Sequence, residues 1–72
     1  MPATAIESIV TGVVWKIEKR AGERVATGEV IMILESMKME IPIEATREGV
    51  VQVLRVQEGD SVTEGDVVAL LD

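Results

Sequence analysis

The sequence of 72 residues contains no cysteine, no histidine, no phenylalanine and no tyrosine. Without cysteine, neither a disulfide nor a thiolate metal site can hold the fold together. Without histidine or cysteine, and with no glycine-rich loop of the kind that binds phosphate, the chain also lacks the side chains from which most catalytic centres are built. We therefore predict that the protein is not an enzyme in its own right.

Long apolar segments and clusters of positive charge are absent as well. No apolar run approaches the roughly 20 residues that cross a membrane, and residues 1–8 lack the basic and hydrophobic regions of a signal peptide, so we expect a cytoplasmic protein. The chain carries 13 acidic and 7 basic residues, with a net charge of −6. Nucleic acids and anionic membranes bind clustered lysine and arginine, so neither is expected as a partner. The charge favours a soluble surface over steering toward a basic enzyme cleft.

Branched aliphatic residues dominate what is left to form a core. Valine and isoleucine together far outnumber leucine, and Trp15 is the only aromatic residue. Branched side chains lose rotamer freedom in helices and pack well on pleated surfaces, so this composition favours strands. We expect Trp15 to pack in the core or half-exposed, since one isolated aromatic ring makes no binding platform. The length predicts a single domain over residues 1–72, close to the lower size limit for a self-sufficient core.

The sequence contains an internal repeat. When it is shifted by 37 residues, residues 12–35 align with residues 49–72 without a gap, and eight of the 24 aligned positions are identical. The identical positions are glycines, valines and one leucine, and several others exchange one acidic or aliphatic residue for another. Two copies are too few for a solenoid, which needs at least three units. The repeat therefore predicts a closed pair of units related by a pseudo-twofold axis.

Each copy predicts the same order of short strands and turns. A strand begins at Gly-Val-Val, and two turns follow at glycines that precede an acidic residue, because glycine tolerates positive φ. The turn glycines are Gly22, Gly28, Gly59 and Gly65. Residues 3–9 add a first strand and residues 39–45 a return strand, which gives about eight strands. The acidic residues Asp60, Glu64 and Asp66 lack the ligand spacing of a calcium loop, so we expect turn residues there and no metal site.

No segment shows a helical period, so we predict an all-β fold. We expect a flattened barrel, or sandwich, of two four-stranded antiparallel sheets packed face to face, which also protects the exposed edges of short strands. Pro42 lies in the return strand and has no N–H to donate, so it should occupy a sheet edge or a bulge. The first copy runs on into residues 36–39, whereas the second copy ends the sequence. We therefore expect these two segments at opposite ends of the barrel.

Lys38 lies between the two copies, in a polar segment flanked by apolar residues 30–34 and 41–43. Such a segment predicts the tip of a β-hairpin, from which a lysine points outward. Exposed lysines seldom need an explanation, but Met37 and Met39 on either side are unusual in a loop. Methionine either fills gaps in cores or forms adaptable contact surfaces. The two methionines could therefore plug the end of the barrel or form a surface that a partner recognises, and Lys38 is predicted to be an attachment point.

The run Glu-Ser-Met-Lys-Met at residues 35–39 resembles the biotin-attachment sequence of the biotinyl/lipoyl attachment domain family, and the resemblance extends over residues 6–72. It implies the flattened barrel, biotin bound covalently to Lys38, and a biotin protein ligase that recognises the neighbouring residues. Those recognition residues are Glu35, Ser36, Met37 and Met39. Lipoyl domains usually have aspartate before and alanine after their lysine, so both flanks here are of the biotin type. Glu35 occurs in both kinds of motif and does not discriminate.

The resemblance leaves three functions to compare. The first is a biotin carboxyl carrier that moves a carboxyl group between biotin carboxylase and carboxyltransferase sites. The second is a lipoyl carrier for acyl transfer in a 2-oxo-acid dehydrogenase complex, with lipoate in place of biotin. The third is an unmodified β-barrel interaction module. The family's usual Pro-Gly step is replaced by Val10-Thr11-Gly12, which leaves the shape of the first turn open. The ungapped repeat predicts that no protruding thumb covers the biotin.

Overall fold

The computed structural model describes residues 3–72, so the first two residues of the predicted domain lie outside the described range. The eight predicted strands are present and no helix is, which confirms the all-β fold for the described residues. The absence of a helix among residues 3–72 also means that none there could span a membrane. The strands are β1 (Thr4–Glu7), β2 (Gly12–Ile17), β3 (Arg24–Val25), β4 (Val30–Ser36), β5 (Met39–Glu44), β6 (Gly49–Leu54), β7 (Ser61–Val62) and β8 (Val67–Leu71).

The strands form two four-stranded sheets whose neighbours are all antiparallel. One sheet has the order β1-β8-β6-β3 and the other β5-β4-β2-β7. Shifting by the repeat length converts β1, β2, β3 and β4 into β5, β6, β7 and β8, so the two orders are the same. Each copy contributes its short third strand to the sheet of the other copy. The predicted pseudo-twofold barrel is thus confirmed, and neither copy completes a sheet alone.

The predicted turn chemistry is also confirmed. All four turn glycines have φ between 84° and 94°. At each turn, the acidic residue after the glycine donates its N–H to the carbonyl three residues earlier, as in a type II turn. Its carboxylate accepts the N–H of that same earlier residue at 2.8–2.9 Å. The four pairs are Glu23 with Arg20, Glu29 with Ala26, Asp60 with Gln57 and Asp66 with Thr63.

Hydrogen bonds from these turns join the two copies. The N–H of Gly22 donates to the carbonyl of Val51 at 2.7 Å, and the N–H of Val51 donates back to the carbonyl of Glu23 at 2.8 Å. The repeat-related pair has the same form: the N–H of Gly59 donates to the carbonyl of Val14 at 2.8 Å, and the N–H of Val14 donates back to the carbonyl of Asp60. The Gly22 turn is therefore bonded to β6 of the second copy, and the Gly59 turn to β2 of the first.

The first and return strands are each shorter than predicted. The first was expected over residues 3–9 but ends at Glu7, where its register against β8 shifts. The return strand was expected to reach Ala45 but ends one residue earlier. In both places the next residue, Ser8 or Ala45, exchanges two backbone hydrogen bonds with a glycine-acid turn at 2.8–2.9 Å. The turns thus capture backbone groups that would otherwise continue the ladders.

The core fills the space between the sheets with aliphatic side chains. Its largest fully buried members are branched residues and one methionine, Met32, as the composition predicts. Trp15 is 50% exposed, as expected for a half-exposed packing residue. It lies where the register between β2 and β4 shifts, and its repeat partner Gln52 lies at the matching shift between β6 and β8. Pro42 lies on β5, which is an edge strand, as its missing N–H requires.

The Glu29 turn links stability to pH. Its carboxylate accepts the N–H of Ala26 at 2.9 Å and lies 3.0 Å from the Lys19 ammonium. First the Ala26 hydrogen bond and then Lys19 hold the pKa of Glu29 below its ordinary value of 4.5. Because the pKa of Glu29 is lower in the folded than in the unfolded state, its carboxylate stabilises the fold at pH values above the ordinary pKa. This stabilisation is lost as the pH falls through the folded-state pKa.

We therefore predict that Glu29→Gln lowers Tm at neutral pH and flattens the fall in Tm below about pH 4.5, the ordinary carboxyl pKa. Thermal unfolding by circular dichroism across this range measures both effects. Glu48→Gln removes the same charge from an exposed side chain in the β5–β6 connection and is the matched control. Identical pH profiles for the two variants would contradict the assignment.

Candidate functional site

The predicted hairpin tip is present between β4 and β5. Ser36 and Met39 are the last paired residues, so only Met37 and Lys38 form the turn. Their φ angles are 52° and 66°. Two positive φ values in a two-residue hairpin loop define a type I′ turn. Lys38 therefore occupies the second central position of this turn, at the end of the hairpin.

This turn is locally unfavourable for its sequence. Type I′ turns normally contain Asn-Gly or a similar pair, because other side chains clash in the left-handed region. The clash costs roughly 1–2 kcal/mol for each such residue. Met37 and Lys38 accept the cost because the paired strands on both sides leave only two residues to reverse the chain. Strain of this kind persists only where the surrounding structure determines it, and it is concentrated at functional sites.

The base of the tip is held by the loop between β1 and β2. A Cβ at Gly12 would collide with the carbonyl oxygen of Glu35, so the backbones of β2 and β4 approach closely here. The hydroxyl of Ser36 donates to the carbonyl of Thr11 at 2.9 Å, and the hydroxyl of Thr11 accepts the N–H of Glu64 at 3.0 Å. Although Val10-Thr11-Gly12 replaces the Pro-Gly step, Thr11 still holds the base of the tip, because it is bonded both to Ser36 at the end of β4 and to Glu64 in the second copy.

Both methionines of the tip are exposed to solvent. Met37 is 92% exposed and Met39 62%, whereas the core methionine Met32 is 0% exposed. The plug interpretation is therefore wrong, because a side chain that covered the end of the core would be largely buried and neither of these is. The other alternative, a surface that a partner recognises, stays a prediction. Two apolar side chains on either side of exposed Lys38 offer a partner flexible, polarisable contacts.

Two carboxylates lie just below the tip. Glu35 and Glu40 face each other directly across β4 and β5, and both are exposed. Like charges in directly opposed strand positions are destabilising, so this pair is not explained by the stability of the sheet. Among residues 3–72, Lys38 takes part in no ion pair, since the Lys19–Glu29 pair is the one formed there. The tip thus presents the amine of Lys38 above an acidic pair, Glu35 and Glu40.

The amine of Lys38 is carried by an exposed side chain in the hairpin turn. An ammonium group must lose a proton before its nitrogen can attack an acyl group. The chain has no histidine, so an enzyme acting on this lysine has to supply the base. Two surface grooves of about 430 Å³ each are present, but Lys38 lines neither of them. The site is therefore an exposed side chain that lies outside both grooves.

The other end of the barrel carries the terminal strands. Thr4 of β1 is paired with Leu71 of β8. Arg47, which lies just after β5, donates to the Thr4 hydroxyl at 2.7 Å and to the Leu71 carbonyl at 3.4 Å. Because β5 begins at the tip, these contacts place the start of β1 and the end of β8 at the far end of the barrel, as predicted.

Comparison with known proteins agrees with this geometry. The family model described as "Biotin-requiring enzyme" matches residues 1–71. The Biotin/lipoyl attachment protein of Bacillus subtilis is 50% identical over 58 residues, which cover 81% of this chain and 80% of that protein. The crystal structure of Kluyveromyces lactis urea carboxylase matches the whole chain with a TM-score of 0.94 and 35% identity, over 6% of its own length. The lipoyl domain of the 2-oxoglutarate dehydrogenase complex from Azotobacter vinelandii gives a TM-score of 0.75 at 29% identity, over 94% of this chain and 96% of the domain.

The strain in the turn can be measured. We predict that Lys38→Gly raises the free energy of unfolding by about 1 kcal/mol, because glycine adopts positive φ without the Cβ clash. Lys38→Ala removes the same side chain but keeps the clash, so its stability should stay close to that of the parent. Urea unfolding followed by circular dichroism compares the three proteins. A Lys38→Gly variant no more stable than Lys38→Ala would show that the turn is not strained.

Proposed function

This chain belongs to the biotin/lipoyl attachment family, and we propose that it is a biotin carboxyl carrier whose biotin is bound covalently to Lys38. Its fold and its likeness to a segment of a carboxylase make it a small carrier-type domain of the kind found in biotin-dependent carboxylases. Biotin is then the cofactor, Lys38 the attachment residue and residues 1–72 one carrier domain, which moves carboxyl groups between biotin carboxylase and carboxyltransferase sites.

The observation that carries the proposal is the position of Lys38 in the turn. The backbone around it is fixed by paired strands, while its side chain and the methionines beside it are exposed. A rigid base with one long, mobile side chain suits a group that must visit separate active sites. Bound biotin would supply the carboxyl-carrying chemistry. The chain itself supplies the acceptor amine, the firm base and the surface that partners recognise.

Three partners follow from this function. A biotin protein ligase would recognise the exposed side chains of Glu35, Met37 and Met39. Ser36 would contribute by fixing the base, since its hydroxyl is bonded to Thr11. Biotin carboxylase and carboxyltransferase sites would then receive the modified lysine in turn. The acidic pair below the tip suits basic surfaces on such partners. The cytoplasmic location expected from the sequence remains a prediction.

A lipoyl carrier is the second candidate, and the likeness to a lipoyl domain supports it. The flanking methionines favour biotin, because the lipoyl motif usually has aspartate and alanine in these positions. The exposure of both methionines makes that difference available to a ligase. The intact mass of protein from its native host separates the biotinyl form, the lipoyl form and the unmodified interaction module, because the three masses differ.

The attachment residue can be tested directly. Lys38→Arg keeps the charge and the fold, but a guanidinium is not a usable nucleophile, so we predict no labelling by a biotin ligase supplied with ATP and biotin. Intact mass measures the product. Lys16→Arg makes the same change on the exposed surface of β2 and should be labelled as fully as the parent. Biotin found on the Lys38→Arg variant would contradict the assignment of Lys38 as the attachment residue.

The methionines can be tested as a recognition surface. Changing Met37→Asp together with Met39→Ala should slow biotinylation strongly while stability changes by no more than about 1 kcal/mol, because both side chains are outside the core. Ile9→Asp is the matched control, since it places a charge on another exposed apolar residue. Labelling rates and urea unfolding measure the two effects. Unchanged labelling of the double variant would show that the ligase ignores these side chains.

A further inference from the structure

The three methionines described by the structure have opposite environments. Met32 is completely buried between the sheets, whereas Met37 and Met39 leave 92% and 62% of their surface in solvent. Methionine sulfur is readily oxidised to the sulfoxide where an oxidant can reach it, and burial protects it. The two accessible thioethers stand immediately before and after Lys38. Any change in their polarity therefore occurs beside the acceptor amine.

We propose that Met37 and Met39 form a reversible oxidation site that controls whether Lys38 can be biotinylated. The control step rests on the proposed function, whereas the oxidation itself does not. The oxidant is hydrogen peroxide. Methionine sulfoxide reductases with a thiol reductant are the enzymes that would reverse the change.

The oxidation by hydrogen peroxide requires no group of the protein other than the methionine sulfur. The thioether sulfur attacks one oxygen of hydrogen peroxide, the O–O bond breaks, and the sulfur becomes a sulfoxide while the other oxygen leaves as water. The sulfur loses two electrons and the peroxide gains them. In the reverse step two thiols form a disulfide, and the sulfoxide oxygen leaves as water.

Oxidation would block recognition because it changes an apolar contact into a strongly polar one. A sulfoxide that loses its water against an apolar ligase surface leaves a hydrogen-bond acceptor unsatisfied, which weakens the contact by about tenfold or more. The fold would remain intact, because Met37 and Met39 contribute little to the core. Oxidation of Met32 would instead place a polar group between the sheets, and its burial prevents this in the folded protein.

The first experiment treats the folded protein with dilute hydrogen peroxide and follows each methionine by tandem mass spectrometry. We expect Met37 and Met39 to gain one oxygen atom each at least about tenfold faster than Met32, as their exposure predicts. Circular dichroism should show unchanged secondary structure. Equal oxidation of Met32 and the tip methionines in the folded protein would overturn the site.

The second experiment removes peroxide with catalase and then adds biotin ligase, ATP and biotin. The oxidised protein should be labelled at about one tenth of the rate of the untreated protein, or more slowly still. Prior treatment with methionine sulfoxide reductases should restore the rate. The double variant Met37→Leu with Met39→Leu should be labelled whether or not it was treated with peroxide. If leucine itself impairs recognition, the reductase treatment of the unmutated protein decides the question.

The outcomes separate the two proposals. Undiminished labelling of protein that carries both sulfoxides overturns the control of biotinylation, even though Lys38 remains the attachment residue. Reduced labelling that the reductases do not reverse, in protein whose sulfoxides they have removed, also overturns it. No labelling of the untreated protein contradicts the proposed function instead, and the mass spectrometry still decides whether the oxidation site exists.

Discussion

The hydrogen bonds that each glycine-acid turn makes to the other copy hold this small barrel together. Gly22 binds Val51 of the second copy, and Gly59 binds Val14 of the first. These bonds fix β2 and β6 relative to each other across the pseudo-twofold axis. The short strands β3 and β7 are exchanged in the same way, so each sheet contains strands from both copies. A chain with one aromatic residue and no cysteine therefore closes its core by interlocking its two halves.

The position of the site follows from that interlocking. Once β2 is fixed, Gly12 brings its start against the end of β4, and the Ser36 hydroxyl bond to Thr11 holds the base of the tip. The strands then leave only two residues to turn the chain. Met37 and Lys38 adopt a backbone that their side chains disfavour, and the amine points into solvent. Local preference and global fold disagree at this turn and agree at the four glycine turns, as expected where a residue is retained for function.

Much of the architecture could be predicted because the repeat and the turn glycines act locally and in phase. Gly22 and Gly59 predict turns independently of their tertiary contacts, and the apolar runs on both sides of Lys38 predict a hairpin. The features that could not be predicted depend on contacts between distant residues. The register shift beside Trp15 and the early end of β1 are set by partner strands and by the turn near Asp66.

The tip shows the same limit more sharply. A Met-Lys pair carries no signal for a type I′ turn, so neither the positive φ angles nor the exposure of Met37 could be inferred before the hairpin register was known. Methionine is equally suited to a core or to a contact surface, and only the three-dimensional position chose between them. The motif predicts Lys38 as the attachment residue, and the structure adds how the barrel presents it.

That presentation is most directly tested by exchanging the two turn residues. The variant Met37→Lys with Lys38→Met keeps the composition, the charge and the two-residue turn, but it moves the amine from the second central position to the first. We predict that the exchanged protein has the parent's circular dichroism spectrum and Tm and that a biotin ligase labels it very poorly. Equal rates of biotinylation for the exchanged and parent proteins would contradict it, because any exposed lysine at the tip would then suffice.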